Sequence, residues 1–153
     1  MEKNELIQVA KELIECCDYV YMSTYNKEFD SAETRAMANI RSKHYYPSNL
    51  ELFTEEDLSN FIITALTSDK IQQIKEKQHI SLYYYCPKLK KSLTLFGKTE
   101  IIHDEIIKNK LWVDEWFEYF KLGQQDPEYA VIKFIPKIAK YYTDDYNKII
   151  IEL

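Results

Sequence analysis

Glycine occurs only twice in the 153 residues, at Gly97 and Gly123. Phosphate loops and dinucleotide fingerprints need several glycines, or a Gly-Lys-Ser/Thr ending, within a few residues, so both are excluded. Arginine is equally rare: Arg35 and Arg41 stand beside 18 lysines. Drift in composition accounts for that bias; so does a chain that keeps arginine for places needing a planar fork, such as a phosphate. Cysteine is sparse too, with Cys16 and Cys17 adjacent and Cys86 alone. No even-numbered disulfide framework and no CxxC zinc spacing is available, so the three read as small buried hydrophobes in a reducing compartment. No apolar run approaches the ~20 residues of a membrane helix; stretches such as Phe61 to Leu66 are strand-sized. Basic residues do not exceed acidic ones. With 20 against 25 the net charge is −5, which argues against a nucleic-acid partner. The opening Met1-Glu2-Lys3-Asn4-Glu5 lacks the basic and apolar regions of a signal peptide. The expectation is a cytoplasmic protein without a membrane or nucleic-acid partner.

Hydrophobic residues make up 46% and charged residues 29%, a globular mixture long enough for one domain over 1–153. Residues 4–17 have the 3.6-residue spacing of an amphipathic helix, with Leu6, Ala10, Leu13, Ile14 and Cys17 on one face and Asn4 as N-cap. Strands are expected over Tyr19–Thr24 and Thr34–Ser42, then a turn-rich connection at Tyr45-Tyr46-Pro47-Ser48-Asn49. Asn60–Leu66 reads as an apolar strand running into a short helix that ends near Lys77. Ile80 to Cys86 and Leu93 to Ile101 alternate with period two and form a hairpin. Asp104 caps a third helix, apolar at Ile107, Leu111, Trp112, Trp116 and Phe120. Two short strands, Ala130–Ile135 and Ile138–Thr143, and a strand-like tail follow. The strand count, the hairpin and the few helices fit a mainly β (α+β) fold, an antiparallel barrel with peripheral helices, better than a parallel doubly wound sheet.

The junction Phe61-Ile62-Ile63-Thr64-Ala65-Leu66-Thr67-Ser68-Asp69-Lys70 carries the most chemistry. A helix N-terminus presents unpaired N–H groups and positive dipole, and hydroxyls from Thr64, Thr67 and Ser68 with the Lys70 ammonium would surround an anion there. The bland alternative is an N-cap and a solvated lysine.

Thr64-x-x-x-Ser68-x-Lys70 at the end of an apolar strand resembles the FMN-phosphate segment of the pyridoxamine 5′-phosphate oxidase-like split-barrel flavoproteins. Arg35-Ala36-Met37-Ala38 resembles the family's Arg-x-Met or Arg-x-Val segment, where the arginine meets the phosphate and the following backbone runs along the flavin. Leu111-Trp112, Trp116-Phe117, Gly123, Asp126-Pro127, Pro136 and Ala139-Lys140-Tyr141-Tyr142 resemble the general stress protein branch in order and spacing. Together these motifs span roughly residues 5–145, and the resemblance implies a split antiparallel β-barrel of about six strands, Greek-key, with peripheral helices. The resemblance implies FMN at a homodimer interface, held through Arg35, Ala36, Met37, Ala38, Ile63, Thr64, Thr67, Ser68 and Lys70. It also implies that Ser92 faces the flavin edge from the neighbouring subunit and that Trp112 or Trp116 covers the ring, unless those tryptophans are ordinary packing.

Departures from the family pattern matter. Asp69 stands where the oxidase has a basic residue, and the tail after Tyr142 lacks the Trp and Arg-x-His segment that grips pyridoxal phosphate. Oxidation of pyridoxamine phosphate is therefore not expected. His44, His79 and His103 have no paired-ligand spacing, so no metal is expected. Three readings stay open: an FMN-dependent oxidoreductase of an unidentified small substrate, drawing on NADH or NADPH; a non-catalytic flavin-binding stress or redox-sensing protein; and a flavin-less dimeric interaction module.

Overall fold

A computed structural model describes residues 2–153. Helix α1 (Lys3–Cys16) is followed by strands β1 (Tyr19–Asn26) and β2 (Ser31–Ala38), a 3-10 turn (Pro47–Leu52), and strand β3 (Asn60–Ala65). Helix α2 (Asp69–Glu76), the hairpin β4 (His79–Cys86) and β5 (Lys91–Ile102), and helix α3 (Glu105–Leu111) come next. Two further 3-10 turns lead to β6 (Tyr129–Tyr142) and β7 (Lys148–Glu152). All seven strands share one antiparallel sheet in the order β2-β1-β4-β5-β6-β3, with β7 added on β6. The chain thus forms the expected split barrel, with seven strands. Among the described residues no helix is long and apolar enough to cross a membrane.

Successive side chains alternate across the sheet, so one face is buried and the other is exposed. One face gathers Val20, Met22, Ile62, Leu82, Leu93, Leu95 and Phe134 into the main core, which α1 covers with Ile7, Ala10, Leu13 and Ile14. Asn39 secures that helix: its amide donates to the carbonyls of Ile14 and Cys17 at 2.8 and 2.7 Å. The Asn60 amide then donates to Asn39 Oδ1 and to the buried Tyr84 hydroxyl at 2.9 and 2.8 Å. Buried polar groups need such partners, so this network fixes how β3, β4 and the loop after β2 meet.

Four expectations require correction. The second strand ends at Ala38, not Ser42, because Asn39 turns away to cap α1 and Ser42 N–H closes a turn onto the Asn39 carbonyl at 2.9 Å. Arg41 is therefore in a buried loop. Its Nη1 donates to the carbonyls of Asp57 and Ser59 at 2.6 and 2.8 Å, and its guanidinium lies 4.2 Å from the Phe53 ring centroid. The third helix stops at Leu111: Trp112 is extended and a 3-10 turn (Asp114–Glu118) follows. Val113, Asp114 and the aromatics around them are weak helix formers. The break lets Trp112, Trp116 and Phe120 surround Tyr129, with ring centroids 5.2 to 6.3 Å from it. The two short strands around Pro136 are one long strand, β6, whose register with β5 shifts between Phe96 and Gly97. Gly97 lies opposite Pro136, and a Cβ there would stand 2.1 Å from the Ile135 carbonyl oxygen, so backbone approach dictates the glycine.

The cysteines are the fourth correction. Cys16, at the end of α1, and Cys86, at the end of β4, are joined by a disulfide with Cα atoms 6.0 Å apart. They lie 70 residues apart in sequence, and the packing of α1 over β4 brings them together. Only Cys17 is a free buried thiol, and the cysteines no longer support a reducing compartment.

Candidate functional site

The β1–β2 hairpin and α2 build the site. Along β2, Glu33, Arg35 and Met37 point to one side and Ala36 and Ala38 to the other. Thr24 lies opposite Glu33 and Met22 opposite Arg35, so their inward side chains converge at the rim of the core. Arg35 Nη1 donates to Thr24 Oγ1 at 2.6 Å and to the Glu33 carbonyl at 2.9 Å. Its Nη2 donates to the Glu33 carboxylate at 2.7 Å and to Gln73 Oε1 at 3.1 Å. The Thr24 hydroxyl also donates to Gln73 Oε1. Gln73 is one turn beyond Lys70, so the α2 face that reaches Arg35 also carries Lys70.

Lys70 is half-buried and makes no ion pair among the described residues. Burial pulls its ammonium below the usual lysine range, the Arg35 guanidinium adds to that, and Asp69 and Glu33 oppose it. Two cations therefore sit within electrostatic reach at the start of α2. Ser68 is the N-cap of that helix, yet its side chain makes no capping bond. Its hydroxyl instead accepts from Thr64 Oγ1 at 3.1 Å, which leaves the first-turn N–H groups without a side-chain cap. Glu33 is held below the ordinary carboxylate range, first by the Asn26 amide at 2.8 Å and then by Arg35, against the effect of burial.

Arg35 is thus an electrostatic neighbour of Lys70, Thr64 is hydrogen-bonded to Ser68 just before Lys70, and Met37 lies on the same side of β2 as Arg35. Thr67 faces elsewhere, with its hydroxyl donating to Glu128 at 2.7 Å. Ile63 packs on the aromatic cluster behind β3. Trp112 is buried in that same cluster and its Nε1 donates to Asp114 at 3.2 Å, so within this chain it is packing. Ala36, Ala38 and Ser92 lie on the outer face of the sheet, Ala38 opposite Tyr19 and Ser92 opposite Tyr85. Thr24, Glu33 and Gln73 went unnoticed in the sequence. The one-in-two alternation of β2 pairs Glu33 with Arg35, but nothing local links Gln73 to either.

The outer face is unusually aromatic. Tyr19, Tyr21, Tyr83, Tyr85, Phe96 and Ile138 are each 38% to 56% exposed. They adjoin the small exposed Ala36 and Ala38. Trp112, Trp116 and Phe120 are covered by their own chain, whereas Tyr119 beside them is exposed.

Residues 18–153 match the model of the family described as pyridoxamine 5′-phosphate oxidase like. The chain belongs to that family. Its fold is similar to that of a protein from Clostridium acetobutylicum described as related to general stress protein 26 of B. subtilis, of the pyridoxinephosphate oxidase family. That likeness has 22% identity and a TM-score of 0.77, over 99% of this chain and 97% of the other. General stress protein 26 from Bacillus anthracis str. Sterne is similar at 21% identity and TM-score 0.73, covering 97% and 99%. A nimc/nima family protein from Clostridium acetobutylicum follows at 14% identity and TM-score 0.67, covering 98% and 94%. No curated protein matches the sequence.

The donor set is of the kind that suits the FMN group common in this family: one guanidinium, one ammonium without an ion pair among the described residues, two hydroxyls and a helix terminus without a side-chain cap. Glu33 offsets the positive charge of that set and takes Arg35 Nη2 at 2.7 Å, while Asp69 offsets it at Lys70.

Proposed function

We propose that this protein binds FMN at the start of α2 and works as a homodimer in flavin-dependent oxidation and reduction of a small molecule, with NADH or NADPH as donor. The observation that carries the reading is the convergence of Arg35 with the half-buried Lys70, which lacks an ion pair, at a helix terminus whose N–H groups lack a side-chain cap. Glu33 already pairs with Arg35, whereas Lys70 has no ion pair among the described residues and would meet an added phosphate as a free ammonium. Arg35 and Lys70 would hold the FMN phosphate, Ser68 and Thr64 would donate hydroxyl hydrogen bonds, and the backbone of Ala36 to Ala38 would flank the ring. FMN, when bound, supplies the hydride or electron transfer, and the chain's part is to position it and exclude water. The outer tyrosine face supports pairing with a second copy, because an apolar patch of this breadth on a soluble chain is commonly buried by symmetric association.

Flavin fluorescence titration of the purified protein tests this reading. Losing a charge-assisted hydrogen bond costs about 1.5–3 kcal/mol, so Lys70→Ala should weaken FMN roughly 10- to 150-fold and leave riboflavin unchanged. Equal affinity of the wild type for FMN and riboflavin would refute the phosphate assignment. Anaerobic bleaching of the bound flavin by NADH or NADPH separates an oxidoreductase from a flavin store. Absence of flavin binding together with a dimeric mass by light scattering would leave the interaction module.

A further inference from the structure

We infer that Glu33 is a built-in competitor for the phosphate at Arg35, so that flavin is held as an exchangeable ligand rather than a resident group; this rests on the FMN reading above. Both terminal nitrogens of Arg35 are already engaged. Five acceptors hold them, the carbonyls of Met22 and Glu33, Thr24 Oγ1, Gln73 Oε1 and the Glu33 carboxylate at 2.7 Å, and only the last is charged. Thr24 and Gln73 are neutral and can rotate beside a bound phosphate without opposing its charge. Glu33 cannot. A phosphate that takes Nη2 must displace the carboxylate and then face it at close range.

Exposure and anchoring both place Glu33 in the path of an incoming anion. Its side chain is 41% exposed and that of Arg35 only 17%, so the carboxylate lies on the solvent side of the pair. The Asn26 amide donates to its other oxygen at 2.8 Å and holds it over the fork. Release of the fork therefore breaks an ion pair and loosens a second hydrogen bond. The nearby charges do not compensate, because Asp69 at the first turn of α2 adds a second carboxylate near Lys70. Flavin entry and loss would accordingly follow the state of one side chain on an edge strand.

Glu33→Gln keeps the shape and removes the charge on an exposed side chain, and its one amide oxygen can accept from Arg35 or from Asn26 but not from both. FMN and riboflavin affinities are measured by fluorescence titration on wild type and variant after dialysis, with urea midpoints as the folding control. Glu33→Gln is expected to tighten FMN about tenfold, or about 1.4 kcal/mol, to leave riboflavin within about twofold, and to slow FMN loss on dialysis. Unchanged or weaker FMN binding by a folded Glu33→Gln would overturn the competitor role while leaving the FMN site intact. Equal tightening of riboflavin would overturn it as well, because the effect would not act through phosphate. Failure of both proteins to bind FMN would overturn the FMN reading itself and this inference with it.

Discussion

Replacing Arg41 by alanine should unfold much of the margin that keeps this protein folded. The guanidinium is fully buried, and its Nη1 bridges the carbonyls of Asp57 and Ser59, which lie just before β3. Its Nη2 stands 3.7 Å from the Glu15 carboxylate at the end of α1, itself buried, and the plane stacks on Phe53. Removal strands two carbonyls, at about 1–3 kcal/mol for each left unpaired in the interior. It also leaves a buried carboxylate whose remaining cation, Lys43, lies 3.8 Å away on the exposed side. Breaking a buried ion pair from one side costs about 3–5 kcal/mol. These effects overlap, so the expected loss is about 4 kcal/mol, a large share of the roughly 5–15 kcal/mol of a typical domain. Urea denaturation followed by tryptophan fluorescence reads it directly. The melting temperature should fall by about 8–16 °C, given about 2–4 °C per kcal/mol at this size. Arg41→Lys should recover less than half of the loss, since an ammonium cannot bridge both carbonyls while stacking on Phe53. A loss under about 1 kcal/mol for Arg41→Ala would refute the reasoning and mark the burial of this charge as energetically neutral.

Gly97→Ala should destabilise the protein by about 3 kcal/mol or more, since the added carbon meets a backbone oxygen at 2.1 Å that no side-chain rotation relieves; an unchanged thermal midpoint would refute this. Cys17 should resist iodoacetamide at pH 8.5 in the native protein and react in urea, because burial, helped by Asp18, pushes its thiol up to about 12. With Cys16 and Cys86 paired, thiol counting without reductant should find one reactive group per unfolded chain. The same shift makes Cys17 favour the native state below the ordinary thiol pKa, and that contribution declines as pH rises from about 9 towards 12. Labelling of native Cys17 at the unfolded rate would contradict both statements.

The sequence alone determined the local and the periodic. Alternation over Leu93 to Ile101 and the 3.6-residue spacing before Cys17 are written in consecutive residues, and β5 and α1 follow them. Ser68 at the start of α2 and Asp104 at the start of α3, which accepts from Ile106 N–H at 2.9 Å, were legible for the same reason. Tertiary structure decided what depends on partners distant in the chain. Cys16 and Cys86 become a pair only when α1 lies across β4. Pro136 stays inside a strand because Gly97 opposite it lets the backbones approach. Trp112, just past the end of its helix, joins the aromatic rings around Tyr129, a partner distant in the chain. Arg35 was recognisable as a candidate anion ligand, but not that Glu33, Thr24 and Gln73 already hold its fork. Gln73 is 38 residues away, and no periodicity records a contact that only the docking of α2 on the hairpin creates.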